Sequence, residues 1–393
     1  MKSWKSHTPL MEPIHIVAAK RSPIGRFGGG LKDSPPSELA TQVAAAVLPD
    51  ALRGAVSEVI LGQVLQSGSG MNIARQVALR LGIPHAVPGY TVNMACGSSL
   101  KAVALGVLNL QQSGSGLVLA GGVENMSAAP HLLPDMRWGK KLGAGLLIDC
   151  IQHDGLTDPF LQISMGETAE RIADEMRISR EDQDAFAAES QRRAHAHANA
   201  LLREIVPIQT RRDLVERDEH PRSETTPASL AKLRPAFRTS GSVTAGNASG
   251  INDGAAMVLL ARGDALSAHA LQSRARIVAA STTGCDPATM GLGPVGAIRE
   301  VLHRAGWELG TVDVFEINEA FAAQTLGCIR QLGLDSSRVN VRGGAIALGH
   351  PIGASGARVL VTLVHLMEDL GLRRGVASLC VGGGMGVAVA VER

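Results

Sequence analysis

Thr91-Val92-Asn93-Met94-Ala95-Cys96-Gly97-Ser98-Ser99-Leu100 reads as the end of a strand, a cysteine, and a Gly-Ser turn that opens a helix. Around it, apolar runs at residues 14–18, 58–61, 90–94 and 117–120 have the length of buried strands. Helix-like stretches at 37–48, 72–81 and 99–111 lie between them. In the last third the order returns, with strands expected at 276–280, 314–317, 339–341 and 376–381 and helices at 295–305, 319–332 and 355–370. The third helix again follows a small-residue turn, Gly353-Ala354-Ser355-Gly356. The fourth strand of each half is expected to end in glycines, Gly121-Gly122 and Gly382-Gly383-Gly384. Strands alternating with helices are the α/β pattern, and its recurrence predicts a duplicated fold about a pseudo-twofold.

A chain of 393 residues is long enough for two such halves. Between them, residues 125–240 break the alternation and read as an inserted loop domain. Its main feature is one long amphipathic helix opening at Ser179, with Asp182 three residues on as in a capping box. Phe186, Ser190, Ala194, Ala198, Leu201 and Ile205 form its expected stripe, opposed by Gln183, Glu189, Arg192 and Arg193. The mixed charges of residues 203–222 read as a solvated surface.

A formal charge of +2 offers no groove for nucleic acid, and 3% aromatics leave few platforms on which bases could stack. No apolar run reaches about 18 residues, so no membrane span is expected. The five cysteines are odd in number and lack a C-x-x-C, which argues against a disulfide framework or zinc site and for a reducing, cytoplasmic setting. Residues 1–13 lack the apolar core of a secretory signal and read as an extension.

The thiol of Cys96, set before a helix, faces unpaired backbone N–H groups and the positive end of the helix dipole, both of which favour thiolate. A cysteine is equally at home as a small buried apolar residue, and this stretch alone leaves both readings open. The last fifty residues add two partners. Gly343-Gly344-Ala345-Ile346-Ala347-Leu348-Gly349-His350-Pro351-Ile352-Gly353 sets one imidazole in a loop of small residues, able to lie close to a ligand. Cys380-Val381-Gly382-Gly383-Gly384-Met385-Gly386 sets a second thiol at a strand end, before a turn whose N–H groups can converge on an oxyanion. By the duplication all three meet at one edge, as a nucleophile with acid–base partners.

Together these motifs closely resemble those of the thiolase family. Asn318-Glu319-Ala320-Phe321-Ala322-Ala323-Gln324, Asn247-Ala248-Ser249-Gly250-Ile251-Asn252-Asp253-Gly254-Ala255 and Ala231-Lys232-Leu233-Arg234-Pro235-Ala236-Phe237 also match, and the six occur in the family's order. The resemblance implies a five-layer αβαβα thiolase fold, with an N-terminal half at 1–268 that includes the inserted loop domain and a C-terminal half at 269–393. It implies an acyl transferase that condenses two acetyl-CoA to acetoacetyl-CoA and CoA, or cleaves 3-ketoacyl-CoA by thiolysis, through a Cys-bound acyl-enzyme.

Carried over residue by residue, Cys96 is the nucleophile, His350 draws off its proton, and Cys380 is the acid/base at the α-carbon. His350 with a water held by Asn318 forms one oxyanion hole, and the N–H groups of Cys96 and Gly382 form the other. Ser249 matches a pantetheine contact. Met165, Phe237, Met290 and Phe321 match apolar pocket positions, and Arg222 and Ser229 align near the nucleotide. No metal or other cofactor is required, coenzyme A being substrate and product. Homodimers or homotetramers are common in the family, as is a place in fatty acid metabolism. One departure is Ser164, where acetoacetyl-type members commonly carry histidine; it brings longer 3-ketoacyl chains into consideration.

Other signals are set aside. Gly291-Leu292-Gly293-Pro294-Val295-Gly296 fits a dinucleotide fingerprint but follows no strand directly, and Pro294 disturbs the turn. His195 and His197 stand two apart on a helix and so point apart, which suits solvent better than a metal. Two rival functions remain: a decarboxylating condensing enzyme, which pairs its cysteine with two histidines or a His-Asn pair, and a non-catalytic acyl-CoA or lipid binder. Cys380 argues against the first, and the complete trio against the second.

Overall fold

The computed structural model describes residues 12–113 and 116–393; the expected extension at 1–13 lies, but for Glu12 and Pro13, outside them. The first half runs β1 (Ile14–Arg21), α1 (Pro36–Val47), β2 (Val56–Gly62), α2 (Ile73–Arg80), β3 (Gly89–Val92), α3 (Ser98–Ser113) and β4 (Leu117–Asn125). The insertion carries α4 (Met165–Glu175), α5 (Arg180–Ala196), α6 (Ala198–Leu202) and α7 (Pro227–Leu230). The chain then returns as β5 (Asn252–Arg262). The second half is β6 (Ala275–Gly284), α8 (Gly293–Ala305), β7 (Val314–Ile317), α9 (Ala322–Leu332), α10 (Ser355–Leu370), β8 (Arg374–Val381) and β9 (Met385–Glu392).

Pairing follows the path β7-β8-β9-β6-β1-β5-β4-β2-β3. Counted by position within each half, the first sheet has strand order 3-2-4-5-1, and the second has the same order 2-4-5-1 with position 3 reduced to a single bridge between Val339 and Phe315. The second strand lies parallel to the fourth, and the fifth runs antiparallel between the fourth and the first. A short antiparallel contact of β1 with β6 joins the halves. Helices α3 and α10 pack between the two sheets, in one core shared by strands of both. Thirteen consecutive residues of α10, from Ser355 to Met367, are buried, as a helix covered on every side must be. On the outer faces, α1 and α2 cover the first sheet, and α8 and α9 the second. The order of layers is helix, sheet, helix, sheet, helix, the five-layer arrangement expected.

Several expectations are corrected. Each half has a last strand that the sequence reading did not expect, β5 and β9, at the fifth position of the order above; both are almost wholly buried, so neither shows the alternation of a half-exposed strand. β4 does not end at Gly121-Gly122 but continues to Asn125. Those glycines permit close approach, since a Cβ on Gly121 would lie 2.2 Å from the Ala256 carbonyl oxygen and one on Gly122 2.3 Å from that of Gly353. The strand expected at 339–341 is a single bridge from Val339 to Phe315. Asn340 replaces the ladder there, its side chain donating to Ile317 O and accepting from Ile317 N at 2.8 Å each, while its φ of 48° turns the chain away. The long helix from Ser179 has its cap, with Ser179 Oγ accepting from Asp182 N at 3.0 Å, but breaks at His197. Its buried face includes Gln183 and Asp184, because Gln183 donates to Ser242 Oγ at 2.8 Å and Asp184 pairs with Arg180. Ala198 is exposed instead.

Candidate active site

Cys96 sits on a turn held from several sides. Ser98 Oγ accepts from Met94 N at 2.9 Å and donates to Ala95 O at 2.6 Å, and Asn93 Oδ1 accepts from Ala95 N at 3.1 Å. These bonds hold Ala95 at φ 40°, a left-handed conformation that costs a non-glycine residue roughly 1–3 kcal/mol. Gly97 brings the turn against the second half: a Cβ there would lie 2.8 Å from Val381 Cγ2 and 3.1 Å from Val387 Cγ1. An added Cβ on Gly382 would make ordinary contact with Met165 and Ala95. Burial pushes the thiol up to about 11, with the Glu124 carboxylate adding to the rise, against the opposing pull of the backbone N–H groups of Gly382 and of Cys96 itself. Cys96 therefore rests as a thiol, contrary to the thiolate its helix-start position suggests.

Cys380 lies at the end of β8, across from Gly386 of β9. It is wholly buried and packs in one cluster with Met165, Ala248, Met290, Ala320 and Phe321. Burial raises its thiol well above the ordinary range, and the neighbouring Cys96 sulfur adds to the effect.

His350 follows Gly349, and its N–H donates to Asn252 Oδ1 at 2.9 Å. Its Nδ1 lies 2.6 Å from Ser355 Oγ, and that hydroxyl donates to Pro351 O at 2.9 Å. With the hydroxyl proton so used, Nδ1 carries the ring proton and Nε2 is left with its lone pair. Asn318 Nδ2 is 3.4 Å from Nε2, and Arg358 Nη2, donating to Asn318 Oδ1 at 3.3 Å, fixes which way the amide points. Burial first, then the Arg358 guanidinium, lowers His350 to about 3, so the ring is neutral. Two residues on, Ile352 packs in one cluster with Cys96, Val64 and Leu65.

Glu124 ties these loops together. Its carboxylate accepts from Val64 N at 2.9 Å, Leu65 N at 3.1 Å and Gly353 N at 3.0 Å. Burial raises it to about 7, against the pull of the three donors.

The expected apolar residues converge as well. Phe237 meets Phe321 edge to face at 6.1 Å and lies over Gly166, where a Cβ would come within 2.3 Å of the ring. Ser249 N donates to Ala320 O at 2.9 Å, holding the loop against Phe321. Farther out, Arg222 and Ser229 line a groove of about 260 Å³ with Gln191, His220 and Ile346. Arg222 is exposed, with its backbone N–H on Gln191 Oε1 at 2.8 Å. Ser229 Oγ is engaged in a reciprocal cap with Thr226. Ser164 caps α4, accepting from Glu167 N at 3.2 Å.

Sequence reasoning missed Glu124, His220, Asn252, Ser355 and Arg358. Asn252 and Ser355 stand inside motifs already quoted, whereas Glu124 carries no local signal. The glycines of the supposed dinucleotide fingerprint serve packing: a Cβ on Gly293 would lie 2.1 Å from Met385 O. Among the described residues no group of three or more His, Cys, Asp or Glu could hold a metal ion, and no helix is long and apolar enough to cross a membrane.

Residues 14–264 match the family model for the thiolase N-terminal domain, and residues 271–393 that for the thiolase C-terminal domain. An acetyl-CoA acetyltransferase of Chromobacterium violaceum is 50% identical over 389 residues, covering 97% of this chain and 99% of that protein. The crystal structure of the Bacillus anthracis acetyl-CoA acetyltransferase superposes with a TM-score of 0.94 at 45% identity, over 97% of this chain and 99% of that one. Human mitochondrial 3-ketoacyl-CoA thiolase in complex with CoA gives a TM-score of 0.95 at 43% identity, over 98% of each chain. The chain belongs to the thiolase family.

Proposed function

We propose that this enzyme condenses two acetyl-CoA to acetoacetyl-CoA and CoA, and runs the reverse thiolysis on 3-ketoacyl-CoA, by a ping-pong path through an acyl group on Cys96. The observation that carries the reading is the meeting of the Cys96 turn with Cys380, Gly382 and the His350 loop. In the first half-reaction the Cys96 sulfur attacks the thioester carbonyl while His350 Nε2 takes its proton. A thiol raised to about 11 beside an imidazole lowered to about 3 makes prior ion-pair formation strongly uphill, so proton transfer accompanies attack. Cys380 gives its proton to the departing CoA sulfur, which leaves Cys380 as thiolate and His350 as imidazolium for the second half-reaction.

In the second half-reaction Cys380, left as thiolate by the first, removes the α-proton of acetyl-CoA, and the carbanion attacks the acyl carbon as the Cys96 C–S bond breaks and the Cys96 sulfur takes its proton back from the His350 imidazolium. The α-protons of a thioester are very weakly acidic, so the high affinity of Cys380 for a proton suits the task. The N–H groups of Cys96 and Gly382 serve one developing oxyanion, and the protonated Nε2 of His350 with a water held by Asn318 the other, each donor being worth about 3 kcal/mol.

Met165, Phe237, Met290 and Phe321 form the apolar wall, Ser249 faces the pantetheine arm, and Arg222 and Ser229 lie at the nucleotide end. Coenzyme A is substrate and product, and the residues call for no metal or redox cofactor. A homodimer or homotetramer in the cytoplasm, serving fatty acid metabolism, is the setting we assign. Incubation with acetyl-CoA followed by intact-mass measurement tests the reading. One acetyl group on the unmodified protein and none on Cys96→Ala is the expected result; a protein that binds CoA but gains no acetyl group is a binder instead.

A further inference from the structure

The central helix α10 is buried all round, yet it carries a polar stripe at helical spacing: Ser355, Arg358, Thr362 and His365. Ser355 holds His350, Thr362 donates to Glu204 Oε1 at 3.0 Å, and His365 Nε2 lies 3.1 Å from Ala19 O. Arg358 differs from its neighbours on the stripe. It is 1% exposed, and among the described residues its Nε and Nη1 have no hydrogen-bond partner. Glu316 faces it, also 1% exposed, with both carboxylate oxygens unpartnered and Arg358 Nη1 at 3.9 Å. That separation is too long for a direct hydrogen bond. Glu204 Oε2 and the Nε and Nη1 of Arg342 are unpartnered in the same way, and Glu204, Glu319 and Arg342 all act electrostatically on Glu316.

Such an arrangement is poor for stability, because a buried ion pair without close hydrogen bonds does worse than apolar residues of the same volume. What Arg358 does have is one directed bond, from Nη2 to Asn318 Oδ1, which turns the Asn318 amide nitrogen toward His350 Nε2. We propose that Arg358, balanced by Glu316, is a positioning residue that orients Asn318 and sets the electrostatic field at His350 from behind. The inference rests on the thiolase reading above and deepens it. Glu316 is the group facing Arg358: burial raises it to about 8, while the guanidinium pulls it down.

The test uses the full-length enzyme. Arg358→Met should lower kcat roughly 10- to 100-fold, a part of the loss expected for deleting an oxyanion donor, with KM within about 3-fold. The acidic limb of kcat/KM should move to higher pH, since the charge that holds His350 down is gone. Arg358→Lys keeps the charge without the planar fork, so it should leave the limb in place and still lower kcat. It also provides the reading should the methionine variant not fold. Arg358→Lys combined with Asn318→Ala should be no slower than Asn318→Ala alone. Wild-type kcat and pH limb in a folded Arg358 variant would overturn the proposal, as would effects that simply add to those of Asn318→Ala. A wild-type protein that forms no acyl adduct would instead sink the functional reading, so the two failures are distinguishable.

Discussion

The two halves share one strand order but have divided the chemistry between them. In the first, the turn before the central helix α3 carries Cys96, and β4 ends near Glu124, which holds loops in place. In the second, the turn before α10 carries Gly353 and Ala354, and the last residues of β8 include the reactive position, Cys380. The surroundings differ accordingly. Cys96 is 9% exposed and follows a residue held at φ 40°, whereas Cys380 is fully buried in regular strand. A nucleophile must be reachable and able to exchange partners. A base for a carbon acid gains from a dry place that raises its proton affinity. Duplication allowed one half to specialise in presentation and the other in burial.

The strongest way to break this division is to remove each sulfur in turn. Cys96→Ala should lose roughly 10⁴–10⁶ in turnover and all acyl adduct. Cys380→Ala should still take one acetyl group on Cys96, while exchange of the acetyl-CoA methyl protons with deuterated solvent falls roughly 10²–10⁴-fold. Mass spectrometry and proton NMR read the two separately. Retained exchange in Cys380→Ala would end its assigned role, and loss of the adduct there would end the division of labour.

The contrast also has a pH signature. An unfolded histidine titrates near the ordinary 6.5, whereas burial and then the Arg358 guanidinium lower His350 to about 3 in the folded enzyme. Between those values the unfolded chain binds the extra proton, so stability rises with pH across that window and is lost as pH falls through it. The denaturation midpoint of the wild type should therefore drop more steeply from pH 6.5 towards pH 4 than that of His350→Gln. Parallel slopes would mean that His350 titrates alike in the folded and unfolded chain, which would remove the lowered proton affinity assigned to it in the first half-reaction.

Much of this site was legible because its residues answer local demands. Gly97, Ser98, Asn93 and the glycines around His350 are fixed by turn geometry and close approach, which short motifs record. The fifth strands were not read, because a strand buried on both faces shows no period. Glu124 and Arg358 were not read either. Their partners lie far off, Gly353 being 229 residues from Glu124 and Asn318 40 residues from Arg358, and nothing nearby in the sequence marks a charge that will be buried. Arg222 and Ser229 came from resemblance alone, and local structure gives Ser229 a capping role that its sequence position did not suggest.

The glycines of the two turns offer a smaller test. At Gly97 an added Cβ meets Met94 Cε at 2.7 Å and Val381 Cγ2 at 2.8 Å, whereas at Gly383 nothing lies within 4 Å but φ is +84°. Gly97→Ala should cost about 1–3 kcal/mol by overpacking and should also displace the nucleophile, so kcat falls with stability. Gly383→Ala should cost about 1–2 kcal/mol of backbone strain and leave acylation of Cys96 nearly intact. Thermal denaturation beside the acylation rate separates them; equal losses of acylation would show that the Gly382 turn is as exacting as the Cys96 turn.

The smallest effect bears on the acyl chain. Ser164 stands where acetoacetyl-type members commonly carry histidine, and here its hydroxyl is committed to the first turn of α4, beside Met165. If capping is its whole contribution, Ser164→Ala should cost about 1 kcal/mol and shift kcat/KM for all 3-ketoacyl-CoA lengths by one common factor. Ser164→His should narrow the pocket next to Met165, so that thiolysis of longer chains falls relative to acetoacetyl-CoA. Measuring thiolysis across chain lengths in the three proteins decides the matter. An unchanged ratio in Ser164→His would move the control of length away from α4 and onto the rest of the apolar wall, Phe237 against Phe321 and Met290 beside Cys380.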